Sequence, residues 1–204
     1  MEKNKELTMP TLNLLSILIF IVSSINAGAA HAQLNHQNSW AKRVERGNEV
    51  TTTLQFYFHN IPSGPGPTSV RIAEAAQTNR SRTFFGALMM IDDPLTVGPD
   101  PSSRIMGRAQ GLMGSAGLNK FTLIMAVSYV FTDGIYNGSS FSLLSINEVL
   151  RPAQEMAVVG GTGLFRLARG YVVARTHSID AMSVAIVEYN VTIVTYDYSE
   201  HPHE

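Results

Sequence analysis

Asp92 and Asp93 are the most conspicuous acidic pair in the sequence and the first candidates for proton transfer. Their spacing argues against a two-carboxylate dyad, because neighbouring residues of an extended chain point to opposite faces. One can face an interior while the other shapes a turn, and Pro94 biases Asp93 toward an extended backbone. Six histidines show no metal-ligand spacing: His31, His36, His59, His177, His201 and His203. His201 and His203 sit in a polar tail, where they could bind a metal only incidentally. The absence of cysteine excludes disulfides, thiol nucleophiles and thiolate metal sites within the chain. No metal and no cofactor are therefore expected. Arg166 and Arg169 fall on opposite faces of an extended segment, and Arg108 and Arg151 are isolated. With a formal net charge of −1 there is no basic patch interleaved with aromatics, which disfavours a nucleic-acid role. No Gly-x-Ser-x-Gly elbow is present for a serine nucleophile.

The most distinctive stretch runs from Glu155 to Thr176, EMAVVGGTGLFRLARGYVVART. Three glycines in Gly160-Gly161-Thr162-Gly163 open backbone angles closed to other residues. A phosphate loop fails on context: the Gly-Lys-Ser/Thr ending is missing, and the residues after it are β-branched and aromatic rather than a clear helix start. The stretch predicts a strand, a glycine turn over Gly160–Gly163, and a long strand in which Leu164, Arg166, Ala168, Gly170 and Val172 share one face.

The other elements read the same way. Thr51 to Asn60 alternates with period two, with Leu54, Phe56, Phe58 and Asn60 on one face and Gln55, Tyr57 and His59 on the other. Pro62 to Pro67 is a loop. Thr68–Ala76 is strand or helix by composition. Thr83–Ile91 predicts a strand ended by Asp92-Asp93-Pro94. Ile105–Leu112 predicts a strand whose Gly107, Ala109 and Gly111 suit a tight place in a curved sheet. Phe121–Thr132, Phe141–Ile146 and Ser183–Tyr198 are further strands, with Asp133-Gly134 and Asn137-Gly138 as turn signals. About eight strands without a clear amphipathic helix predict an all-β barrel or sandwich.

The 204 residues are 45% apolar and 15% charged, which suits one domain with a substantial core and argues against disorder. Leu12–Ile25 is apolar but too short and interrupted for a comfortable membrane span. Lys3 and Lys5 precede it and Ala30-His31-Ala32 lies just beyond it. Residues 1–32 are read as a secretory signal, with the mature chain starting at Gln33 and no membrane association after cleavage. Residues 33–50 are read as a flexible lead-in and 51–204 as the β-domain. Secretion fits three Asn-x-Ser/Thr sequons, at Asn79 in a polar loop, Asn137 at a hairpin tip and Asn190 within a strand pattern.

The segments LQFYFHN (Leu54–Asn60), FGALMMIDDPLT (Phe85–Thr96), MGRAQG (Met106–Gly111), VFTDGIYNGSS (Val130–Ser140), VVGGTGLFRLARGY (Val158–Tyr171) and VEYNV (Val187–Val191) occur in order and spacing. Together they resemble the plant dirigent proteins over essentially everything after residue 50. The resemblance implies an eight-stranded antiparallel β-barrel with a central cavity, assembled as a homotrimer (or homodimer), secreted to the apoplast. It favours strand for Thr68–Ala76. It also implies a protein with no oxidative activity of its own. A separate oxidase of laccase or peroxidase type makes phenoxy radicals, and the barrel guides their coupling to one stereoisomer, as in lignans from coniferyl alcohol. Some relatives are instead enzymes, such as pterocarpan-forming dehydratases that use cavity carboxylates. Non-catalytic defence or cell-wall roles are a third expectation.

Five positions depart from the lignan-directing pattern. Asn60 stands where Asp follows FYFH, Met113 and Ser115 stand where tyrosines follow RAQG, Asn147 replaces an acidic residue, and Gln154 replaces an arginine. With Phe58 and Asp93 these are the expected cavity residues. An amide does not exchange protons as a carboxylate does near neutral pH. Acid/base catalysis at Asn60 or Asn147 is therefore not expected, and shape with neutral hydrogen bonds is left to orient the ligand.

Overall fold

The computed structural model describes residues 47–180 and 184–197. The proposed signal, most of the lead-in, Trp40 and the His201/His203 tail lie outside them. Nine strands run in chain order: β1 (Asn48–Asn60), β2 (Ser69–Ala73), β3 (Leu88–Thr96), β4 (Ile105–Ser115), β5 (Leu123–Phe131), β6 (Ser140–Asn147), β7 (Gln154–Thr162), β8 (Arg169–Asp180) and β9 (Val184–Asp197). All neighbours are antiparallel, in the order β1-β9-β8-β7-β6-β5-β4-β3-β2. Pairing of Tyr57 with Thr96 and Phe58 with Leu95 joins β1 to β3 and closes eight of the strands into a barrel. The ninth, β2, lies against the other half of β3, from Leu88 to Ile91. β1 begins at Asn48, so residues 48–50 pair with β9 as part of the sheet.

Alternation sends one residue in two inward. Phe56 and Phe58 from β1, Tyr129 and Phe131 from β5, Phe141 from β6 and Tyr189 from β9 converge as a buried aromatic plug. Phe56 stacks on Tyr189 at 5.5 Å between ring centroids, and Tyr129 stacks on Phe141 at 4.8 Å. The small residues of β4 do serve a tight place. A Cβ on Gly111, at φ +152°, would lie 2.3 Å from the carbonyl oxygen of Ala126 on β5.

Two expected boundaries move. The glycine stretch is not the turn: Gly160 and Gly161 lie in β7, and the chain reverses through a 3-10 turn at Gly163–Phe165 and on to Ala168, with Leu167 at φ 60°. Leu164–Ala168 therefore has no strand alternation. The turn instead drops Phe165 into the plug, stacked on Tyr136 at 5.0 Å. Asp92-Asp93-Pro94, expected to end a strand, lies inside β3, while Thr83–Ala87 is a turn with Phe84 at φ 56° and Gly86 at φ 88°. Pro94 is tolerated because of what lies beside it. The Asp92 N–H donates to the Thr68 carbonyl, so Pro94 turns its nitrogen to that same edge. There β2 has ended and β1 pairs only from Leu95, so no ladder bond is lost.

Candidate functional site

The plug fills one end of the barrel, and the other end holds a cavity of about 110 Å³. Its walls come from the ends of strands that the register brings level. Met113 pairs with Met125, Leu123 with Asn147, Thr176 and Phe58 with Val187, and Asn60 with Ala185. Phe58, Met113, Leu123, Met125, Val149, Ile179, Ala185, Val187 and Tyr189 make the lining largely apolar, and Asn60, Asn147, Gln154 and Thr176 supply polar atoms. No charged side chain is among these. Of the seven expected cavity residues, Phe58, Asn60, Met113, Asn147 and Gln154 come together here.

The other two stand behind the wall. Ser115 is turned away, its hydroxyl donating to the Thr83 carbonyl at 2.5 Å, which ties the end of β4 to the turn before β3. Asp93 is fully buried, and Asp92 on the opposite face is exposed and bridged to Arg108 at 2.5 Å, as alternation requires. Asp93 accepts from Asn60 Nδ2 at 2.9 Å and from the Thr68 hydroxyl. It therefore touches the cavity through Asn60.

Burial pushes the Asp93 carboxyl up to about 6, against the pull of the Thr68 and Asn60 hydrogen bonds and of Arg108. Because its folded value lies above the free one, the folded state binds the extra proton between pH 6 and 4, and this group adds stability as pH falls through that window. The interval from 3.8 to about 6 is worth about 3 kcal/mol at most. His59, also buried, has the opposite sign. Desolvation lowers its value, so it costs stability as pH falls below 6.5. An Asp93→Asn variant separates the two. Denaturant titrations are expected to show wild type gaining up to about 3 kcal/mol on the variant from pH 6.5 to 4; a constant difference would show that Asp93 does not titrate there.

The polar groups of the wall are unevenly satisfied. Gln154 Nε2 donates to the Arg151 carbonyl at 2.5 Å, which pins the start of β7. Asn147 Oδ1 is buried without a partner among the described residues. A buried amide oxygen left unpaired costs about 1–3 kcal/mol of stability. At the cavity floor Tyr129 donates to the Tyr189 hydroxyl at 3.1 Å, and burial pushes both phenols up, Tyr189 to about 12. Both stay neutral. Sequence reasoning missed Tyr189 as a lining residue, along with Leu123, Met125 and Val187. The cue was present at Tyr189, which shares the inward parity of Val187 and Val191 on β9.

A closed eight-stranded barrel with a plugged end and an apolar, amide-studded cavity at the other is a binding architecture for one small, mostly apolar molecule. The model of the family described as "Dirigent-like protein" matches residues 51–194, and the chain belongs to that family. It is 49% identical to dirigent protein 23 of Arabidopsis thaliana over 165 residues, covering 80% of this chain and 88% of that one. Against pterocarpan synthase 1 of Glycine max it is 45% identical over 150 residues, covering 72% and 81%. A solved pterocarpan synthase dirigent protein superposes with a TM-score of 0.69 at 38% identity, covering 78% of this chain and 99% of that one.

Proposed function

We propose that this chain is a secreted stereochemical guide for phenoxy-radical coupling. It binds a phenolic radical made by a separate laccase- or peroxidase-type oxidase and performs no oxidation itself. The observation that carries this reading is a cavity whose described lining residues are apolar side chains, neutral amides and the Thr176 hydroxyl, with no charge among them. Such a wall holds a ring and orients its hydroxyl, and orientation is what stereoselective coupling requires of a protein. A cavity of about 110 Å³ takes one aromatic ring, comparable to the roughly 150 Å³ of a benzene-binding cavity. One radical is then seated with a single face toward the mouth, where the second partner meets it. Discrimination of about 1.4 kcal/mol between the two faces suffices for a tenfold preference.

Secretion to the apoplast is supported by the apolar run Leu12–Ile25 with small residues at Ala30-His31-Ala32. Glycosylation is proposed first at Asn79, exposed in a 3-10 turn, then at Asn137, exposed after β5. Asn190 is a weaker acceptor, half-buried in the β9 ladder between Gln55 and Val173. Assembly as a homotrimer (or homodimer) is supported by an apolar row on the outside of the barrel. Val70, Met90, Leu112, Ala126 and Leu144 stand side by side across β2 to β6, next to Ile146. A row of that kind exposed to water marks an association surface.

The test is coupling of coniferyl alcohol and a panel of plant phenols by a one-electron oxidant, with and without the protein, read by chiral chromatography. Enantiomeric excess that depends on the protein is expected. Racemic products from every phenol would overturn the reading. One observation favours a second reading, a pterocarpan-forming dehydratase: the carboxyl of Asp93, pushed up to about 6, lies one hydrogen bond behind Asn60. Dehydration of an isoflavanol without any oxidant would establish that alternative.

A further inference from the structure

We propose that Asp93 decides which end of the Asn60 amide faces the cavity, so that gain of a proton by Asp93 exchanges a hydrogen-bond acceptor for a donor at the ligand. This rests on the cavity being the phenol-binding site. With Asp93 ionised, its Oδ2 accepts from Asn60 Nδ2 at 2.9 Å. Asn60 also lines the cavity, so its remaining polar atom, Oδ1, is what it offers there. The cavity wall then presents an amide oxygen at Asn60. It selects a neutral ligand that donates hydroxyl hydrogens.

The hydrogen-bond inventory dictates where a proton on Asp93 goes. Oδ1 already receives the Thr68 hydroxyl hydrogen, and Thr68 Oγ1 in turn receives the Ile61 N–H at 3.2 Å. Reversing the bond to Asp93 would take from the Thr68 hydrogen the acceptor it has among the described residues. The incoming proton therefore sits on Oδ2, facing Asn60. Two donors cannot share that contact, and the amide turns over. Oδ1 of Asn60 then accepts from Asp93, and Nδ2 points into the cavity. The same pocket now prefers a ligand that accepts, such as an ether or a quinone-type oxygen.

The groups around Asp93 leave it as the one that switches. Arg108 and Asp92 flank it on the outer face and neutralise each other. Thr68 comes from the approach to β2, Asn60 from β1, and the neutral phenols of Tyr129 and Tyr189 act on it from β5 and β9. Burial pushes the Asp93 carboxyl up to about 6, so the exchange falls within mildly acidic conditions.

The probes are 4-propylphenol and its methyl ether, 4-propylanisole, titrated into the full chain by calorimetry from pH 7.5 to 4.5 with no oxidant present. The ratio of phenol to ether affinity is expected to fall by at least tenfold across pH 6. Asn60→Ala, which leaves the buried carboxyl in place, is expected to make that ratio independent of pH. Asp93→Asn is expected to remove the dependence as well. A ratio that does not change with pH in wild type, or that changes equally in Asn60→Ala, overturns the proposal while leaving phenol binding intact. Failure of the ether to bind at any pH while the phenol binds overturns this inference alone; failure of the phenol to bind at any pH overturns the binding reading and this inference together.

Discussion

Phe56→Ala is expected to cost about 3–5 kcal/mol of folding stability. The ring is fully buried and sits among Tyr129, Phe131, Phe141 and Tyr189, with centroids 5.5–6.4 Å away. Its loss leaves a hole that the surrounding side chains cannot close without bending the barrel. Aromatic pairs add about 0.5–1.5 kcal/mol each beyond area burial. For a chain of this length about 2–4 °C of melting temperature goes with each kcal/mol, so the midpoint should fall by roughly 6–20 °C. Ile135→Ala is the control: that side chain is 78% exposed and its removal should change stability by less than about 0.5 kcal/mol. A Phe56→Ala protein that melts with wild type would show that the plug is not what holds the barrel.

Val187→Trp is expected to abolish stereoselection while leaving the fold intact. Val187 sits level with Phe58 and Thr176, so an indole there occupies the space into which a ligand ring would go. The cavity has an open mouth that can take up the added bulk, so overpacking should stay within about 1–3 kcal/mol. Circular dichroism should match wild type, and the enantiomeric excess in the coupling assay should fall to that of oxidant alone. Selectivity that persisted in the variant would place the guiding surface outside this cavity.

Much of the barrel was legible because most of its strands bury one face. Leu54, Phe56 and Phe58 announce β1 by parity alone, and Asn60 inherits their face. Pro94 misled because a proline usually marks a strand end. Its tolerance depends on β3 changing partners at that residue, a tertiary fact with no local signal. The glycines at 160–161 misled for a related reason. A Cβ on Gly161 would lie 2.5 Å from the Phe165 carbonyl oxygen, so the glycine makes room for the chain's return rather than making the turn. In the site, Asn60, Met113, Asn147 and Gln154 came from family likeness rather than from pattern. Leu123 and Met125 stayed hidden because β5 is largely apolar on both faces, and composition does not say which face is inside. Val187 was legible by parity, since Glu188, Asn190 and Thr192 mark the other face of β9 as the outer one. Ser115 came from the same family likeness and does not line the cavity: its parity is inward, yet the turn at Thr83 captures its hydroxyl.

The long ladder between β1 and β9 has a consequence for how the protein is made. The first strand pairs residue for residue with the last, Asn48 with Asp197 through Asn60 with Ala185. During synthesis at about 5–20 residues per second, β1 leaves the ribosome with its apolar face bare and waits roughly six to thirty seconds for its partner. A meander from β3 to β8 can assemble in that interval, but the ring cannot close until β9 emerges. A stop codon shortly before residue 184 would leave an open sheet with two unpaired edges. Such a product has most of the sequence and none of the enclosed space, and its free edges make it prone to aggregate rather than partly active.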